Sequence, residues 1–103
     1  MPNRFNRRVD INDEIEVVTP NGMLRCMLEN ISLGGLFIRT DKNIHVGDEI
    51  EIATPIHNDS RMMILAAKLK AIRIENRGIA FKFDDIDHQN FWTLQSFIQS
   101  VHS

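Results

Sequence analysis

Three arginines, Arg4, Arg7 and Arg8, stand within the first eight residues of a chain whose formal net charge is only −2. A guanidinium pairs bidentately with phosphate, reads a guanine edge and stacks flat on bases, so a cluster of them at a chain end can wrap an anionic ligand. The same cluster also reads as a solvated tail, because chain ends tolerate charge and short basic stretches are weak signals. A second segment, Asn30-Ile31-Ser32-Leu33-Gly34-Gly35, stands between two apolar runs where the chain turns from one strand into the next. Asn presents donor and acceptor side by side, which matches a purine edge, and Ser adds an adaptable donor and acceptor. Without Cβ atoms, Gly34 and Gly35 would let a flat ligand approach the backbone. An ordinary loop accounts for the same residues, since Asn and Ser bond local backbone and Gly-Gly supplies positive φ.

In order along the chain, Arg4-x-x-x-Arg8 followed by Asn30-x-Ser32-x-x-Gly35 resembles the paired signatures of the PilZ domain family, an R-x-x-x-R arm and a [D/N]-x-S-x-x-G turn. Arg8-Val9-Asp10-Ile11 leads into a strand, and Gly78-Ile79-Ala80-Phe81-Lys82-Phe83 is similar to the family's closing strand, so the resemblance runs from Arg4 to the terminal helix. It implies binding of the bacterial second messenger cyclic di-GMP, with no catalysis and no cofactor, and a report to an unidentified effector protein by ordering of the arm. Motility and biofilm control are the processes such domains serve. By the same resemblance, Arg4 and Arg8 contact phosphates and guanines, Asn30 and Ser32 read a guanine, and Gly34 and Gly35 allow close approach. Many members carry two adjacent arginines at the head of the arm, whereas Asn3 precedes Arg4 here. The extra arginine is Arg7, and Arg8 is preferred for the main role because it sets the register into Val9 and Ile11. One bound ligand and an intercalated pair both stay open. The alternative is an adaptor of the same fold, of the kind found in type IV pilus assembly, with weak or no nucleotide binding.

At 103 residues the chain is expected to be one domain with a modest core: a basic arm over 1–9, flexible for want of apolar area, a barrel over 14–83 and a helix over 87–101. Apolar residues at 43% and charged residues at 25% are ordinary for globular domains and exclude disordered and membrane compositions. The single Cys26 falls in an alternating apolar run and reads as a small buried hydrophobe in a reducing compartment. No run approaches the roughly 20 apolar residues of a membrane span, so no membrane insertion and a cytoplasmic location are expected.

Period-two alternation at Ile15 and Val17, the turn Pro20-Asn21-Gly22, and Leu24, Cys26 and Leu28 on one face predict a first hairpin. Further strands are expected over Leu36–Thr40, Glu49–Ala53, Met62–Glu75 and Ile79–Phe83, with a loop at Asp41 and breaks at Thr54-Pro55 and Asn58-Asp59-Ser60. Six or so short antiparallel strands make a mainly β fold, a small antiparallel β-barrel with one C-terminal α-helix. The period then changes to 3.6, with Phe91, Leu94, Ile98 and Val101 on one stripe, Asp87 as N-cap, and Trp92 and Phe97 packing the helix.

His45, His57, His88 and His102 lack metal-ligand spacing, and no metal site is expected. Asp84, Asp85 and Asp87 read as capping and solvation rather than an acid and base pair, and Ser32 lacks a nucleophile elbow. Single-stranded nucleic-acid binding needs a broad basic groove with stacking aromatics, and this chain is acidic overall with no tyrosine. No nucleic-acid partner is expected.

Overall fold

The computed structural model describes residues 7–40, 44–58 and 61–101. Arg4, the loop at Asp41, the turn residues Asp59 and Ser60, and His102 lie outside the described residues. Six strands precede one helix: β1 (Val9–Thr19), β2 (Gly22–Ile31), β3 (Gly35–Arg39), β4 (Glu49–Asn58), β5 (Arg61–Glu75), β6 (Gly78–Asp85) and α1 (His88–Val101). They close into an antiparallel barrel in the order β1-β2-β3-β6-β5-β4, with β4 returning to β1. The expected fold class stands.

Alternation explains the closure, because inward positions along each strand are apolar and outward ones polar. Ile15 and Val17 from β1, Cys26 and Leu28 from β2, Ile50, Ile52 and Ile56 from β4, and Leu65 and Leu69 from β5 are all buried in one cluster. Full burial of a side chain of this kind is worth about 1.5–3 kcal/mol, which makes this shared interior the main source of stability. Burial also pushes the Cys26 thiol up to about 11, since the charged thiolate is the form that desolvation disfavours.

Two boundaries and one side-chain placement differ from expectation. First, β1 begins at Val9 rather than near residue 14, because Val9 is buried and pairs with Ile31 across the barrel wall. Between Asp10 and Asp13 the register shifts, and Asn12 takes a positive φ of 54°, a conformation Asn tolerates better than most residues. Second, β4 runs straight through Thr54-Pro55, the expected break. The missing N–H of Pro55 faces the β1 side, where paired residues extend only over Val17 and Val18, so no ladder bond is lost. Third, Trp92 does not pack the helix; it is 62% exposed.

The helix begins as its cap predicts. Asn90 and Phe91 donate their backbone N–H groups to the side chain and the carbonyl of Asp87, at 2.8 and 2.9 Å. The bond from the Asn90 N–H, with a second from its side-chain amide, holds the Asp87 carboxyl below its ordinary pKa. Leu94, Phe97 and Ile98 are buried in the same cluster as the barrel interior, flanked by Phe91 and Val101. So α1 covers the region where β5 runs past the end of β6, and it packs mainly on β5.

Candidate functional site

Pairing of β1 with β2 brings the end of the arginine arm and the Asn30 to Gly35 turn together. Val9 lies opposite Ile31 and Asp10 opposite Asn30. From just before Val9, the Arg8 guanidinium reaches back along the wall, and its Nη1 donates to Asn30 Oδ1 at 2.8 Å. Two segments separated by 22 positions thus meet in one polar corner, with Arg7 and Arg8 both exposed. Arg4 falls outside the described residues.

Within the turn the expected readers have structural tasks as well. Ser32 is 2% exposed. Its hydroxyl donates to the Gly35 carbonyl at 3.3 Å and accepts the Gly34 N–H at 3.2 Å, while its own N–H donates to the same carbonyl at 2.8 Å. The turn is therefore built by Ser32, which the sequence had pointed to as an adaptable reader of the ligand. Gly34 is exposed, and its carbonyl accepts the Phe83 N–H at 3.1 Å, pinning the turn to β6. At Gly35 a Cβ would lie 1.9 Å from the Phe81 carbonyl oxygen. Its bareness serves the close approach of β3 to β6. The expected positive φ at Gly34-Gly35 is not found either: among the described glycines only Gly22 and Gly47 have it.

Sequence reasoning missed the neighbouring charges. Glu29, just before Asn30, is held by Arg77 Nη1 at 2.9 Å and Arg39 Nη2 at 3.4 Å. Arg77 also lies 5.3 Å over the Phe37 ring, and Phe37 pairs with Asn30 across β2 and β3. A cation poised on an aromatic face beside a turn adds positive potential to that wall. Only the arginine of Asn76-Arg77-Gly78 hinted at it, in a stretch that reads simply as a hairpin turn. On the other flank of β1, His57 Nδ1 sits 3.2 Å from Asp13 Oδ2, and Asn58 Nδ2 donates to the Asp10 carbonyl at 2.6 Å. These side chains bridge β1 and β4 where no ladder does, and so hold β1 beside the corner.

Among the described residues no group of acidic, histidine and cysteine side chains is arranged to hold a metal ion, and no helix is long and apolar enough to cross a membrane.

Comparison with known families gives a match to the PilZ domain over residues 2–100. The chain belongs to the PilZ domain family. This PilZ domain superposes on the Bacillus subtilis inhibitor of motility (MotI/DgrA) with a TM-score of 0.76 at 17% identity, covering 99% of this chain and 53% of that one. It thus spans about half the length of that protein. The PilZ domain of CeSA from a cellulose-synthesizing bacterium gives 0.61 at 16% identity, covering 93% of this chain and 98% of that one. An uncharacterized Legionella protein gives 0.55 at 17%, covering 92% of each. At these identities the likeness is one of fold. Comparison with curated proteins gave no match.

Proposed function

We propose that this PilZ domain binds cyclic di-GMP at the corner between the segment preceding β1 and the β2–β3 turn, and that binding orders the arginine arm into a surface an effector protein reads. The observation that carries this is the Arg8–Asn30 hydrogen bond, which joins the two halves of the signature before any ligand arrives. The ligand's two phosphates and two guanines need cations that also read purine edges, and arginine does both where lysine acts only as a point charge. Arg8 and Arg7 supply phosphate and guanine contacts from one side, with Arg4 from the arm. Asn30 offers its amide from the barrel wall, and the exposed Gly34 leaves room at the turn. Ser32 and Gly35 contribute by fixing the turn's shape. Such a domain needs no catalytic group or cofactor, and its place is the cytoplasm, where the messenger is made. The likeness in fold to an inhibitor of motility supports motility as the first process to test.

A calorimetric titration with cyclic di-GMP beside GTP and linear dinucleotide controls tests this. The dissociation constant is expected between roughly 0.1 and 10 µM, about −10 to −7 kcal/mol. Absence of binding heat and of any thermal shift near about 1 mM ligand rejects it. The second reading, an adaptor that binds nucleotide weakly or not at all, draws support from Ser32, whose hydroxyl is already engaged inside the turn. That same null titration would favour it.

A further inference from the structure

Among the described residues, the first half of β5 has no partner strand on one of its edges. Pairing with β6 begins at Lys68, opposite Asp85, whereas β5 starts at Arg61. The Ala66 N–H turns away from β4 and donates to Asn90 Oδ1 at 2.8 Å. Backbone polar groups alternate sides along a strand, so the N–H and C=O groups of Ile64 and Met62 face the same way as those of Ala66. Pro55 lies opposite Ile64, as this parity allows, because the pair exchanges no ladder bonds.

Such an edge is a template for pairing with another chain, and proteins usually blunt it with lysine, proline or a bulge. Here α1 meets the edge at Ala66 through Asn90, and the stretch from Arg61 to Ile64 has no lysine, proline or bulge. Met62 and Ile64 are 55% and 63% exposed, and Trp92 on the facing helix is 62% exposed. Between the edge and α1 runs a shallow groove of about 550 Å³ whose lining includes Arg61, Met62, Trp92, Thr93 and Ser96. Residues 88–101 hold no aspartate, glutamate, lysine or arginine, so the helix side of the groove lacks the charges that normally solvate a surface helix. Among the described residues, Arg61 is the single charged one of the lining. Depletion of charge together with exposed Trp, Met and Arg is the composition of an interface core.

We propose that this groove accepts an extended segment of a partner protein as an added strand on the β5 edge, its apolar side chains against Met62, Ile64 and Trp92 and a carboxylate on Arg61. The proposal takes from the proposed function only the idea that the domain acts on a protein. Three partly exposed side chains fall far short of the ~800 Å² per partner that a stable interface buries, so main-chain hydrogen bonds must supply much of the affinity. Strand addition supplies them. A second copy of this chain is the poorer occupant: the described residues of the lining include no acidic one, so a two-fold contact would offer Arg61 no carboxylate from them.

The test selects binders for the full chain from a library of random twelve-residue peptides and titrates the enriched sequence, dye-labelled, by fluorescence anisotropy. Expected are peptides combining apolar residues with Asp or Glu, and a blue shift of Trp92, the single tryptophan, on binding. Trp92→Gln is expected to lose about tenfold or more in affinity, and Arg61→Glu to disfavour acidic peptides similarly. Methylating the peptide's amide nitrogens one at a time is expected to abolish binding at alternate positions only, the signature of a strand paired along one edge. Ile64→Pro removes the edge donor and leaves the β4 ladder intact, and it is expected to act like peptide methylation. No enriched peptide, a methylation scan without alternation, or full affinity in Trp92→Gln would overturn the proposal. So would a concentration-dependent dimer in sedimentation that Trp92→Gln abolishes, since that makes the groove a self-interface. Cyclic di-GMP calorimetry on the same variants separates the two ideas: a wild-type chain that binds peptide but no nucleotide defeats the proposed function alone.

Discussion

A guanidinium has five donors in a rigid fork, and Arg8 gives one of them to Asn30. That bond fixes the side chain's direction at little entropic cost to later binding. Arg8→Ala is therefore expected to weaken cyclic di-GMP by about 1.5–3 kcal/mol, tenfold or more, and Arg7→Ala by less. Equal losses in calorimetry would show that the two arginines share the role. Ser32 acts at the same corner in a different way. Removing its hydroxyl leaves the Gly34 N–H without its acceptor, so Ser32→Ala is expected to lower unfolding stability by about 0.5–1.5 kcal/mol in urea titrations. A variant as stable as wild type that loses nucleotide binding would instead make Ser32 a direct reader.

The elements were legible wherever periodicity alone decided them. Alternation placed Ile15, Val17, Cys26 and Leu28 inside, and the stripe of Leu94 and Ile98 with the Asp87 cap placed the helix. Tertiary context decided the rest. Pro55 reads as a break, yet a strand tolerates proline where no neighbour asks for its N–H, a fact set by how far β1 and β4 pair. Gly35 reads as an opening for a ligand, yet its bareness is demanded by the Phe81 carbonyl 46 positions on. For the site, sequence spacing revealed the arm and turn but not the Glu29, Arg39 and Arg77 cluster, because cross-strand neighbours leave no local pattern. The cap makes a pH prediction. Hydrogen bonds from Asn90 lower the carboxyl pKa of Asp87 in the folded state, so its contribution is fully present above the unfolded aspartate value and is lost as pH falls through the folded one. Asp87→Asn keeps a good cap without the ionisation. Its melting temperature is expected to fall less than that of wild type as pH drops from about 5 to 3, and parallel curves would contradict it.

At the scale of the molecule, two surfaces lie on different parts of one barrel. The Arg8 and Asn30 corner belongs to β1 and β2, whereas the open edge and its groove belong to β5 and α1. A single continuous core underlies both, so the body between them behaves as one packed unit. Under the proposed function, the change on binding is confined to the arm. Trypsin is then expected to cut after Arg4, Arg7 and Arg8 more slowly with saturating cyclic di-GMP, leaving the remaining cuts unchanged. Equal cleavage rates with and without ligand would rule out arm ordering as the signal.

Amide NMR spectra of the full chain, recorded as cyclic di-GMP is added, test most directly that the corner is the binding site. Saturable shifts are expected at Arg7, Arg8, Asn30, Gly34 and Gly35, with the amides of β4 and of the outer face of α1 unmoved. No shift near about 1 mM ligand, or shifts concentrated away from Arg8 and Asn30, would contradict it.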